Sequence, residues 1–278
     1  MRNFLYATEF LEPTISSFTS EQALNFPATR VLDYMHPKRP HKTTVTSTLQ
    51  DIVFDFGSSV DIDGVFVNRV NYPQVQFFAD DTTAMTGVTP SASVFLYPFA
   101  GGNPTVPIDP RVNRRKCLFH FVGLTARYFR YRIPASQTTD DGQAAYSTGA
   151  ILFTNNLILF AGGHQFPLSM GWPTPSQRTD FPDLGAEFIL LGDARYELGF
   201  RGSFASTLQE TDIQRMTKLS AGDAFLYAEN LAPPEQGMLP APTSDPSKVY
   251  LTRFTSDIRP SYLIPEVFDA SLDLVEIL

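Results

Sequence analysis

The residue types that can run a reaction or hold a metal are few here, and their spacing does not suit either task. The four histidines, His36, His41, His120 and His164, are scattered. None belongs to a C-x-x-C, H-x-x-x-H or His-Glu cluster with the spacing of a zinc site. Asp80-Asp81 and Asp140-Asp141-Gly142 offer loop oxygens of the kind calcium prefers, but neither follows the spaced pattern of an EF-hand, and both read as solvated turns. Cys117 lies in "KCLFHFV", a strand-like run that places it in or near a core. His120 is three residues on and falls on the opposite face of the same strand, which removes the obvious Cys–His pair. There is no G-x-S-x-G elbow, and the glycine pairs 101–102 and 162–163 lack the Gly-Lys-Ser/Thr that follows in a phosphate loop. Two carboxylates for glycoside hydrolysis can always be drawn from 29 acidic residues, so that signal selects nothing. No catalytic residue, metal ligand or cofactor-binding residue is assigned, and the chain reads as a non-enzyme without a cofactor.

Binding chemistry is better represented. Tyr72, Phe78, Tyr97 and Phe99 lie near predicted strand ends, where exposed rings stack on sugars or on a neighbouring subunit. The competing expectation is that they are core. Trp172, the only tryptophan, stands in the proline-flanked "MGWPTP" and is either an interface anchor or a plug over its own domain.

The elements that must position these residues are mostly strands. A chain of 278 residues has room for two domains, and 43% hydrophobic against 18% charged residues is a globular composition. The 24 Phe and 11 Tyr favour pleated surfaces, while 22 prolines break up long helices. A net charge of −8 argues against nucleic acid or an anionic membrane as the main partner. The basic runs "HPKRPHK" (36–42) and "RVNRRK" (111–116) read as solvated loops. A single cysteine forbids an intrachain disulfide and suits assembly in a reducing compartment. "MRNFLYATEFLEP" lacks the pattern of a signal peptide, and no apolar run is long enough to span a bilayer.

Short strands are expected at 51–56, 62–70, 74–78, 93–99, 117–122 and 127–133, with Gly57 and "VGLTA" (122–126) as breaks. In "ARYFRYRI" (126–133) alternation puts Phe129, Tyr131 and Ile133 on the core face. The polar stretch 134–149 suggests a boundary, giving domains at 1–136 and 137–278. Beyond it, Asn155-Asn156 suits a tight hairpin turn, and 166–184 reads as a proline-rich loop. Strands follow near 186–191, 194–204, 223–228, 248–254 and 266–277. One helix is expected near 208–219, with Ser206 as N-cap, Gln209 completing a capping box and Gly222 beyond its end. The fold class is mainly β: an antiparallel sandwich followed by a β-rich domain with one short helix.

"QDIVFDFGSSVDIDGVFV" (50–67) and "LTARYFRYRI" (124–133) resemble the strand–Asp-x-Gly–strand segment and the closing strand of galactose-binding-like, or discoidin-type, jelly rolls. The Trp usual in the family's opening stretch is missing from "FPATRVLDYMHPKRPHKTT", as is the disulfide of secreted members. The second half, from "GAILFTNNLIL" through "GDARYELGFRGSFAS" and "AFLYAENL" to "SLDLVEIL", is similar in layout to tailed-bacteriophage tail-tip proteins. The resemblance implies a structural subunit of a phage tail tip or baseplate, assembled in the host cytoplasm into the virion. Its partners would be other tail proteins and copies of itself in a homo-oligomeric ring. The alternative is a carbohydrate-binding module recognising host-surface glycans, and a glycan-degrading enzyme stands third. The family carries no catalytic residues to transfer.

Overall fold

The computed structural model describes residues 4–22, 25–85, 94–96, 115–160, 168–171, 176–181, 186–191, 197–204, 215–216, 223–229, 241–242, 249–255, 261–264 and 267–277. The chain forms two compact units, one built from 2–160 with 226–249 and the other from 161–225 with 250–278. Its strands are β1 (Phe4–Ala7), β2 (Thr14–Phe18), β3 (His41–Lys42), β4 (Gln50–Val70), β5 (Gln74–Asp80), β6 (Val94–Phe95), β7 (Arg115–Ile133), β8 (Ser147–Thr148), β9 (Ala150–Thr154) and β10 (Ile158–Phe160). They continue as β11 (Leu168–Gly171), β12 (Ser176–Phe181), β13 (Ala186–Leu191), β14 (Glu197–Phe204), β15 (Ala224–Glu229), β16 (Ala241–Pro242), β17 (Val249–Phe254), β18 (Ser261–Ile264) and β19 (Val267–Glu276). The protein is mainly β, as its composition requires.

The first unit is organised by one ribbon. β4 and β7, 21 and 19 residues long, pair antiparallel from Gln50↔Ile133 to Val70↔Arg115. Gly57 and "VGLTA" therefore do not end strands as the turn residues suggested. They sit at register shifts, the largest between Asp55 and Val60, where the ribbon bends without breaking its pairing. Gly57 has φ +78°, with open space where a Cβ would stand, so its glycine is required by backbone conformation and not by packing. Asp55 accepts the Gly57 amide at 2.7 Å and holds the bulge in shape.

The two halves of the ribbon belong to different layers. The start of β4 and the end of β7 lie in the order β2-β4-β7-β5-β6. The end of β4 pairs on its other edge with β9, and the start of β7 with β16. Phe54, Phe77 and Phe129 of the first layer meet Phe119 and Phe153 of the second. Ring centroids are 4.8 Å apart for Phe54–Phe153, 4.7 Å for Phe77–Phe119 and 5.1 Å for Phe129–Phe153. These edge-on contacts close a β-sandwich. Phe129, Tyr131 and Ile133 are buried, as alternation in "ARYFRYRI" predicts. On the outer face of the first layer, Arg132 grips Asp51 through two bonds of 2.7 and 2.8 Å, and Arg127 grips Asp55 at 2.9 and 3.1 Å.

The segment 134–149 does not separate two domains but docks on the end of β4. The Asn71 side chain donates through Nδ2 to Asp141 and to the Ala145 carbonyl, both at 3.0 Å, and its Oδ1 accepts the Ser147 amide at 2.7 Å. The first unit consequently runs past residue 136 to Phe160. Asn155-Asn156 closes no hairpin, because β9 pairs with β4 while β10 pairs with β1. β1 also pairs with β15, from Ala7↔Leu226 to Phe4↔Glu229.

In the second unit β19 lies between β14 and β17, and β18 also pairs with it. β11 extends that sheet from β14, and β12 and β13 form a separate antiparallel pair. The proline-rich stretch 166–184 thus holds two strands that proline content alone concealed. Five expected strands, at 186–191, 194–204, 223–228, 248–254 and 266–277, correspond to β13, β14, β15, β17 and β19. Of the helix expected at 208–219, Arg215 and Met216 are helical and the rest lies outside the described residues.

Two outcomes test this core. Phe77 packs against four rings, Phe119, Phe121, Phe129 and Tyr131. Phe77→Ala is expected to destabilise the first unit by about 3–5 kcal/mol in denaturant titration. Cys117 is fully buried and burial pushes its thiol far up, so a thiol reagent should label it only at the rate of unfolding. Rapid labelling under native conditions contradicts this packing.

Candidate functional site

At one end of the sandwich, short-range chemistry builds a cleft. His36, Pro37, Lys38, Arg39 and Pro40 form a tight loop in which both prolines are buried and Lys38 and Arg39 are exposed. The His36 amide donates to Asp33, and the Arg39 amide donates to His36 at 2.9 Å. Buried prolines with fixed φ leave this basic run far less freedom than a solvated loop. The chain then enters β3, which pairs with β8 in the register His41↔Thr148 and Lys42↔Ser147. Directly opposed residues share a face, so Lys42 and Ser147 stand side by side.

β8 is held from its other side by the end of β4. The Asn71 amide donates to Ser147 and the Gly149 amide to Arg69, both at 3.2 Å. Gly149 has no room for a side chain: a Cβ there would lie 2.7 Å from the Pro37 carbonyl oxygen and 2.8 Å from the Arg69 Cβ. Arg69 has φ +55°, a left-handed conformation unusual for a branched-off long side chain, at the last register shift of the ribbon. Phe26 completes the wall. Its carbonyl accepts from the Lys42 amide at 3.3 Å and from His41 Nδ1 at 3.2 Å, and its ring lies 4.5 Å from the Lys42 ammonium. Burial lowers the His41 pKa, so its imidazole is neutral near pH 7 and carries its proton on Nδ1.

The resulting cleft has a volume of about 340 Å³ and is lined by Phe26, Lys38, Pro40, Lys42, Arg69, Asp141 and Ser147. Three cationic side chains face one carboxylate, and that carboxylate already accepts from Asn71 and the Gln143 amide. Ser147 is buried, and its Oγ has no hydrogen-bond partner among the described residues. The arrangement offers charged groups of both signs, a hydroxyl and an apolar wall. It contains no nucleophile paired with a base. Among the described residues no group of His, Cys, Asp and Glu could hold a metal ion.

Tyr72 and Phe78, two of the aromatic residues singled out from sequence, do not line it. Tyr72 is fully buried, and its hydroxyl bonds to Tyr131 at 2.7 Å and to Thr148 at 2.8 Å. Burial pushes its pKa far up, so the hydroxyl stays protonated and acts as a structural link under β8. It is core and no exposed platform, because residue 72 directly follows the docking Asn71. Phe78 lies on the outer face of the first layer in a small cluster with Val53, Met85 and Tyr128. Arg132 and Arg130 cover it, at 4.6 and 5.6 Å from the ring centroid, so its face is unavailable for stacking. Tyr97, Phe99 and Trp172 lie outside the described residues. His120 is on the face opposite Cys117, as period two predicts. It is half-buried near Asp63, with burial lowering its pKa and raising that of Asp63. The cleft residues were passed over in the sequence because they are far apart; the paired prolines around Lys38 and Arg39 are the one local signal of an ordered basic loop.

No protein-family model matches the chain, and no curated protein is similar to it. Among solved structures, chitosan-binding module 1 of a Paenibacillus sp. IK-5 chitosanase/glucanase is similar at 17% identity, covering 52% of this chain and 96% of that one, with a TM-score of 0.36. The C-terminal domain of a chitobiase from Bacteroides fragilis is similar at 15% identity, over 52% of this chain and 95% of that one, with a TM-score of 0.38. A family 32 carbohydrate-binding module from C. perfringens, in complex with galactose, is similar at 12% identity over 51% of this chain and 92% of that one, with a TM-score of 0.37.

Proposed function

We propose that this chain is a non-catalytic glycan-binding protein, with its first unit a galactose-binding-like sandwich that takes a saccharide in the cleft beneath the 36–42 loop. The single observation that carries this reading is the cleft itself: apolar walls from Phe26 and Pro40 beside polar groups from Lys42, Arg69, Asp141 and Ser147. Sugars present both a hydroxylated edge and an apolar face, and a concave site of this size that mixes the two is suited to them. Binding without turnover accords with a site that holds cations and a hydroxyl but no acid/base pair.

A second reading gives the protein a structural role in a phage tail tip or baseplate, within the virion. It is motivated by the second unit, where "ELGFRGSF" and "VFDASLDLVE" form the paired strands β14 and β19. There the mechanism would be burial of surface between copies and tail partners. Light scattering of purified protein should then show a ring-sized assembly; a persistent monomer that binds no tail protein removes this role.

For the glycan reading, a glycan array followed by calorimetric titration should find a saccharide bound at micromolar to millimolar strength. Phe26→Ala should weaken that binding about tenfold while leaving the melting temperature of the second unit unchanged. A featureless array, or binding indifferent to Phe26, removes the cleft as a sugar site.

A further inference from the structure

Resting on the glycan-binding reading, we propose that Ser147 is the specificity-determining residue of this cleft: its side-chain hydroxyl bonds one hydroxyl group of the saccharide, and the site discriminates against a sugar that lacks that group. The argument begins with a comparison inside the molecule. Of the buried serines and threonines among the described residues, Thr43 donates to the Val45 carbonyl at 3.0 Å, Thr139 to the Gln143 carbonyl at 2.6 Å and Thr252 to the Phe225 carbonyl at 2.9 Å. Thr148 shares a bond with the Tyr72 hydroxyl at 2.8 Å, and Thr154 accepts the Asn156 amide at 3.1 Å. Ser147 is 2% exposed, and its Oγ alone in this set has no hydrogen-bond partner among the described residues. Buried hydroxyls are nearly always satisfied, so the exception calls for a physical cause.

The surroundings explain why the protein does not fill the position itself. The Ser147 amide donates to Asn71 Oδ1 at 2.7 Å and its carbonyl accepts from the Asn71 amide at 3.2 Å, so the main chain is held from shifting the hydroxyl towards a partner. Lys42 is directly opposed to Ser147 in the β3–β8 ladder and is the natural donor, yet its ammonium lies over the Phe26 ring at 4.5 Å. All three residues line the cleft, so the open position belongs to a surface of ligand size. The energetics favour recognition there. A ligand hydroxyl that meets an exposed serine displaces water from both groups, and the net gain is small. Ser147 is already out of water and has no bond to give up, so a matching hydroxyl gains more fully and a deoxy sugar forgoes that gain.

The test uses calorimetry on the full chain with galactose, glucose and N-acetylglucosamine, followed by the monodeoxy derivatives of whichever of the three binds most tightly. One derivative is expected to bind about tenfold more weakly than its parent because it has lost the group that Ser147 reads. In Ser147→Ala the parent should bind as weakly as that derivative, while the losses at other positions keep their original size, the pattern of a double-mutant cycle. Ser147→Cys, which keeps the shape and offers only a weak donor, should fall between the two. The melting temperature of Ser147→Ala should stay level or rise, because the hydroxyl makes no bond in the free protein. A clear fall in melting temperature with the deoxy pattern unchanged assigns the hydroxyl to an ordered water and overturns the proposal. An equal loss for the parent and every derivative, or sugar binding indifferent to Ser147, overturns it and leaves the glycan reading standing. Binding of none of the three sugars overturns both.

Discussion

The continuous pairing of β4 with β7 is the constraint on which the first unit depends. Two strands of about twenty residues cannot stay flat, since right-handed twist accumulates along such a ribbon. The register shifts near Asp55, Ile62 and Val67 let it bend, so that its two ends enter opposite layers of one sandwich. One core aromatic contact is therefore internal to the ribbon, Phe121 with Phe129 at 6.0 Å, while Phe153 of β9 and Phe77 of β5 add contacts to Phe54, Phe129 and Phe119. Each fully buried ring contributes on the order of 2–3 kcal/mol by area alone, so the inter-sheet cluster outweighs the exposed ion pairs of the outer face. The pair Asp51–Arg132 is better described as fixing register, since the two residues are directly opposed in the ladder.

The ribbon also decides where the cleft can be. Its last register shift leaves Arg69 in a left-handed conformation and turns Asn71 to meet the segment 134–149. That segment then supplies β8, and β8 supplies the edge on which β3 and the 36–42 loop rest. Gly149 is the point of closest approach, with the Pro37 and Asn68 carbonyl oxygens both within 3 Å of where a side chain would begin. Three regions separated by tens of residues are thereby brought together through backbone bonds, and their side chains inherit a fixed spacing. Tyr72 supports the assembly from below by bonding Thr148 and Tyr131 at once. A residue taken for an exposed binding platform is therefore a buried support beneath β8.

Alternation and composition were enough to make the β class and the core face of 126–133 legible, because both depend on local periodicity. They were also enough to place β5, β13, β14, β15, β17 and β19 to within a few residues. Gly57 and Gly123 misled, since glycine at a bulge and glycine at a turn have the same sequence appearance and differ only in whether the partner strand continues. Asn155-Asn156 misled for a related reason: a turn-forming pair says the chain bends, not that the flanking strands pair with each other. The cleft was the least legible part. Phe26, Lys42, Arg69 and Ser147 have no common motif, and their meeting depends on the 71–147 docking, in which a single asparagine bonds residues 141, 145 and 147.

Two local choices at the cleft are unfavourable taken singly, and their coincidence is informative. A left-handed Arg69 costs about 1 kcal/mol relative to a glycine at that position. An unbonded buried hydroxyl at Ser147 forgoes the bond that its desolvation calls for. On the outer face of the first layer Arg127 and Arg132 meet Asp55 and Asp51, and in the core the hydroxyls of Tyr72 and Tyr131 bond each other. The same kinds of cost recur elsewhere in the unit, with Met85 and Ser136 also at positive φ and the buried His120 Nδ1 also without a hydrogen-bond partner among the described residues, so the corner is distinguished by bringing a left-handed backbone and an open hydroxyl to one concave surface.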